Sequence, residues 1–211
     1  MSRCIAIIIC ILLYGSSVRG QVFARKAEEP AKDFAMRCKP VGMEMNDALE
    51  KQIIATTEWT NNEAIIAFYT VMVPNDYDHS DHEKYLEIVG YMYVPVSAGN
   101  YERVLIDTFE TEGGDPEIAS VFFANADKDS KRELVVLCKW PQHHYQVYGN
   151  FFNTRIYDNI DVKKIPARLT LLKKVSDKVD GGFDGEREGE TVHARYTTAK
   201  EIRAGLAALG Y

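Results

Sequence analysis

The sequence predicts an α+β fold: one largely antiparallel sheet of about six strands, with C-terminal helices packed on one face. Three observations carry this. Runs rich in β-branched and aromatic residues follow one another from Ala64 to Tyr157, separated by turn-forming segments, as in an antiparallel meander. From Pro166 onward the apolar residues recur at three- and four-residue steps. Near the end, Thr198 and Glu201 form a capping-box pair ahead of an apolar stripe. No segment repeats internally, which argues against a propeller or solenoid, and no linker divides the chain.

Residues 1–20 read as a cleaved secretory signal. Arg3 supplies the positive start, Cys4 to Leu13 is an apolar run of about ten residues, and Val18 and Gly20 place cleavage before Gln21. That run falls short of the ~20 apolar residues a membrane-crossing helix needs, and no other stretch is apolar enough to span a membrane. The expected address is the periplasm or the exterior. Removing Arg3 and Arg19 from 25 basic residues leaves 23 against 31 acidic ones, a formal charge of −8. Without a basic run, nucleic acid is a poor partner. A protein partner, basic in charge, suits this balance better. Cys38 and Cys138 stay in the mature chain. An oxidising compartment allows one disulfide between them, while a buried free thiol at Cys138 suits its apolar strand equally well.

Residues 21–44 form a polar N-terminal segment without periodicity, and 45–211 a single globular α+β domain. Asp47 and Glu50 resemble a capping box, which predicts a short helix over about 48–55. Ala64 to Val73 is apolar on both faces, a central strand closed by Pro74. Tyr85 to Val96 follows, interrupted by Gly90, then a turn and a strand over 104–109. Glu112 to Pro116 turns the chain into Ile118 to Ala124. Glu133 to Trp140 carries Leu134, Val136, Cys138 and Trp140 on one face and Val135 and Leu137 on the other. It reads as a strand covered on both sides and ended by Pro141. A strand over 148–157 comes next. Pro166 opens a predicted helix with Leu169, Leu172, Val175 and Val179 on one face, stopped by Gly181 and Gly182. After a short strand over 191–197, Thr198 starts the last helix, with Ile202, Leu206 and Leu209 facing the core.

Two polar loops hold the residues suited to chemistry. In the first, Asn125, Asp127 and Asp129 alternate, and Glu133 stands four residues further on. Alternate oxygen-bearing side chains can converge on one hard cation, with a carbonyl near Lys131 as a further ligand. Asn125, Asp127, Asp129 and Glu133 are therefore the predicted metal ligands, and calcium the predicted ion. This pattern resembles the acidic calcium loop of FG-GAP and similar repeats, which also links two strands; the resemblance covers about ten residues. Ser130 stands where those loops have glycine, Asn125 replaces an aspartate, and Lys128, Lys131 and Arg132 add positive charge. Val136 at the twelfth position excludes an EF-hand. The competing reading is a solvated hairpin loop whose Asp and Asn serve turn chemistry.

The second loop runs from Asn75 to Glu83. His79, Asp81 and His82, with Asp78 or Glu83, are transition-metal ligand types, and His143 and His144 follow a buried strand. There is no HExxH, no GxSxG and no glycine-rich phosphate loop, and Cys138 on an apolar strand is expected to be inert. Tyr85, Tyr91 and Tyr93 form either a recognition face or sheet packing. As a whole the chain resembles small exported bacterial proteins of unassigned activity. Through the acidic loop it resembles periplasmic inhibitor or immunity-type proteins. The predicted function is an exported soluble binding protein with a structural cation loop. The alternatives are a metal-dependent hydrolase using the histidine-rich loops and a non-catalytic envelope-associated structural protein.

Overall fold

The computed structural model describes residues 21–74 and 84–211; the predicted signal and the loop holding His79, Asp81 and His82 lie outside the described residues. In chain order the elements are β1 (Val22–Ala24), α1 (Ala31–Arg37), α2 (Asp47–Glu50), β2 (Ile54–Thr56), β3 (Ala64–Pro74), β4 (Lys84–Ser97) and β5 (Asn100–Phe109). Then come β6 (Glu117–Ala124), β7 (Glu133–His144), β8 (Val147–Tyr157), α3 (Lys173–Ser176), β9 (Gly182–Arg187), β10 (Glu190–Val192) and α4 (Ala199–Ala208).

The protein is mostly β, which corrects the α+β expectation. Its strands form two five-stranded antiparallel sheets, ordered β1-β5-β4-β3-β2 and β10-β9-β8-β7-β6. The reason lies in what covers each apolar face. Ile66 and Phe68 of β3, Met92 of β4 and Ile106 of β5 share one core with Leu134, Val136, Cys138 and Trp140 of β7. One sheet therefore packs directly on the other as a sandwich. The outer face of the first sheet, with Ile65, Ala67 and Tyr69, is covered by Phe34 and Ala35 of α1. On the outer face of the second, Val135 and Leu137 meet Val175 beside α4's Ile202 and Leu206. The two-sided burial of β3 and β7 was rightly expected, but a sheet supplies one of the two covers.

The segment after Pro166 departs furthest from its periodicity. Residues 167–169 run beside β5, where Leu105 N–H donates to the Ala167 carbonyl at 3.0 Å and Leu169 N–H to the Leu105 carbonyl at 2.8 Å. Leu169 belongs to the core between the sheets, whereas Val175 and Val179 belong to the outer core. The helix-like spacing marks a chain passing from one core to another, and only Lys173–Ser176 is helical. β7 also continues through Pro141 to His144: β6 begins opposite Lys139, so beyond it β7 pairs with β8 alone, and an edge position tolerates the N–H that Pro141 lacks. Gly90 interrupts β4 for space: a Cβ there would lie 2.7 Å from the Phe68 ring. The final helix forms as expected, with Thr198 and Glu201 capping one another.

Residues 21–44 contribute β1 and α1. α1 is fastened by two buried hydroxyls: Tyr69 donates to the Ala35 carbonyl at 2.8 Å and Tyr93 to the Cys38 carbonyl at 3.1 Å, the two oxygens lying 2.9 Å apart. Tyr69→Phe leaves a buried carbonyl unpaired. The expected loss is about 1–3 kcal/mol in urea unfolding; an unchanged midpoint would show that the hydroxyl does not hold α1. Cys38 and Cys138 are both free and buried. Cys38 sits under α1 and Cys138 between the sheets, so the first sheet separates them and no disulfide forms. Burial pushes the Cys138 thiol up to about 12, which makes it a packing residue rather than a nucleophile.

Candidate metal centre

The loop between β6 and β7 is held in place before its acids are considered. Trp59 packs edge-on against Phe123, with ring centroids 5.4 Å apart, and its indole N–H donates to the Arg132 carbonyl at 2.6 Å. Arg132 also pairs with Glu58. Inside the loop, Asp127 Oδ1 accepts from Asp129 N–H at 2.8 Å, and Asp129 Oδ1 accepts from Lys131 N–H at 2.6 Å. These are the local side-chain turns that Asp favours. Ser130 is not among the residues with positive φ, so the left-handed conformation that would call for glycine does not arise.

Glu133 opens β7 and is fully buried. Its Oε2 accepts from Ala126 N–H at 2.5 Å, and its Oε1 has no hydrogen-bond partner. Burial, reinforced by Asp127 and Asp129, pushes its carboxyl up to about 7. Carboxylate oxygens of Asp127, Glu133 and Asp158 all lie within 4.8 Å of one another. Asp158 follows β8 directly and is fixed by its own N–H, which donates to the Thr170 carbonyl at 2.9 Å.

Of the four predicted ligands, Asp127 and Glu133 are brought together. Asn125 is exposed and lines a cavity with Arg132 and Arg203 that includes none of those three carboxylates. Asp129 is committed elsewhere: its Oδ2 accepts from the Asn159 amide at 2.9 Å, and Asn159 in turn accepts from Lys131 at 3.0 Å. Asp158 was missed because it is remote in sequence. A signal for it existed in strand pairing. β7 and β8 pair from His144↔Val147 at the turn to Leu134↔Tyr157, and one further step sets Glu133 opposite Asp158. His143 and His144 end β7 in exposed positions and join no such group among the described residues.

Three carboxylates so close repel one another, and a fully buried one with an oxygen left without a donor is costly unless a proton or a cation sits there. The donor set is oxygen alone, which suits a hard cation rather than a soft one. Set against known proteins, the chain matches no family model, no curated protein and no solved structure.

Proposed function

We propose that this chain is an exported binding protein in which Asp127, Glu133 and Asp158 hold a calcium ion that fixes the acidic hairpin to the end of β8. One observation carries the reading: Oε1 of Glu133 is buried and has no donor, and one carboxylate oxygen each of Asp127, Glu133 and Asp158 lie within 4.8 Å of one another. Calcium takes 6–8 oxygens with flexible geometry, so loop carbonyls and water complete the shell. Extracellular calcium modules work at about 10⁻⁴–10⁻³ M, an affinity that three carboxylates can supply. The ion's role is structural, and function lies in what the fold presents. The acidic balance of the chain favours a basic protein as partner.

The test is elemental analysis of the purified protein, with melting curves in calcium and in chelator. One calcium per chain is expected. At calcium a hundredfold above Kd the melting point should rise by about 5–10 °C. Asp127→Asn combined with Asp158→Asn should abolish both effects, and Asn125→Ala should leave both intact. No bound metal and no shift would overturn the reading. Zinc that survives the double substitution would transfer it to the histidines.

A further inference from the structure

A second charged site lies about 20 Å further along β7, in a cavity of about 340 Å³ between the sheets. Its shielded floor is Asp107 with Arg155, Trp140 also lines it, and the more exposed Arg168, Glu110 and Glu112 complete the lining. Asp107 is buried and fully engaged. It accepts from Thr108 N–H at 3.0 Å, Arg155 at 2.9 Å and the Tyr157 hydroxyl at 2.7 Å, and it also pairs with Arg168. Two guanidiniums therefore share one carboxylate, and the three groups together keep one net positive charge.

Spare donors remain on that floor. Arg155 uses Nε on Asn153 at 3.1 Å and Nη1 on Asp107 and the Thr108 carbonyl, which leaves Nη2 without an acceptor among the described residues. Its guanidinium lies over the Phe109 ring at 4.7 Å, so it is held before any ligand arrives. The part of the lining from Glu110 to Glu112 is also fixed in backbone but carries the opposite charge. Trp140 donates its indole N–H to the Glu110 carbonyl at 2.7 Å, and the Gln142 amide donates to the Glu112 carbonyl at 2.9 Å. The carboxylates of Glu110 and Glu112 make no ion pair among the described residues.

We infer that this cavity binds a small zwitterion, a free α-amino acid. The carboxylate sits on Arg155 and Arg168, whose planar forks match it, and the ammonium sits between Glu110 and Glu112. A simple anion would meet the two glutamates, and a simple cation would meet the net positive cluster. A ligand carrying both charges satisfies both at once. The volume lies at the small end of ligand sites, as an amino acid requires. This inference does not depend on the calcium centre.

The experiment screens each proteinogenic L-amino acid at about 10 mM for a rise in melting temperature. The best one is then titrated calorimetrically beside its analogues lacking either the amino or the carboxylate group. At least one amino acid should bind, and both analogues should bind at least about tenfold more weakly. Arg168→Met should weaken binding by a similar factor. Glu110→Gln combined with Glu112→Gln should do the same; these side chains are exposed, and the variant keeps the native fold. The inference fails if no amino acid shifts the melting point. It also fails if an analogue with one charge binds as tightly as the parent, or if the double glutamine variant binds unchanged.

Discussion

Replacing Glu133 with glutamine is expected to abolish calcium binding and, in chelator at pH 8, to make the protein more stable. The two effects have opposite signs because one carboxyl causes both. In the folded chain the Glu133 carboxyl titrates at about 7 against an ordinary value of 4.5. Between those values the folded state holds a proton that the unfolded state has released. Stability of the calcium-free protein therefore falls as pH rises from about 4.5 to about 7 and then levels, by an amount on the order of 3 kcal/mol. Glutamine removes that slope, can still accept from Ala126 N–H, and offers its amide to Asp127 and Asp158. Calcium and the proton compete for the same oxygens, so calcium affinity of the native chain should rise with pH up to about 7 and then flatten. Urea unfolding in chelator at pH 5 and pH 8, with calorimetry in calcium, measures both. A glutamine variant that is less stable than the native chain at pH 8 would show that Glu133 is not an ionised, unpaired group.

Asp107→Asn should be the most damaging single polar change. It leaves Arg155, three-quarters shielded from solvent, without its counter-ion. Breaking one side of a buried pair costs about 3–5 kcal/mol, which corresponds to a fall of about 10 °C in melting temperature for a chain of this size. The pH dependence runs opposite to that of Glu133. Burial alone would raise the Asp107 carboxyl, but the Tyr157 hydroxyl and the Arg155 guanidinium outweigh it and hold it below its ordinary 3.8. Its contribution is thus complete above about pH 4 and is lost as pH falls through the lower folded value. Thermal scans from pH 2 to pH 7 should show the native chain losing stability at the acid end and the asparagine variant losing less there. Equal acid sensitivity in both would assign acid unfolding to other carboxylates. Arg168 is more than half exposed, and its share of this network is correspondingly small.

What could be read from the sequence divides along physical lines. Features fixed by neighbours in the chain were legible: the Thr198–Glu201 cap, the doubly buried character of β3 and β7, and the acidic loop between two strands. Features fixed by distant segments were not. The unbroken apolar run from Ile65 to Tyr69 says that both faces are covered, yet nothing in it distinguishes a helix from a second sheet. Leu169 and Val175 are spaced as on a helix, but they serve different cores. Asp129 fits a ligand pattern equally well as a turn former, and the local turn prevails because Lys131 N–H lies within its reach. Asp158 becomes visible only when the turn at Tyr145 and Gln146 sets the pairing of β7 with β8.

The two charge clusters also differ in what they fasten. Asp127, Glu133 and Asp158 all come from the contiguous run β6 to β8, within one sheet, so an ion there acts as a rivet along a single plate. Asp107 belongs to the other sheet and grips Arg155 and Tyr157 across the interior, as a bolt through both plates. Emptying the first would loosen one margin of the molecule while the plates stay joined. Cutting the second would let the seam itself open, and the amino-acid cavity lies in that seam.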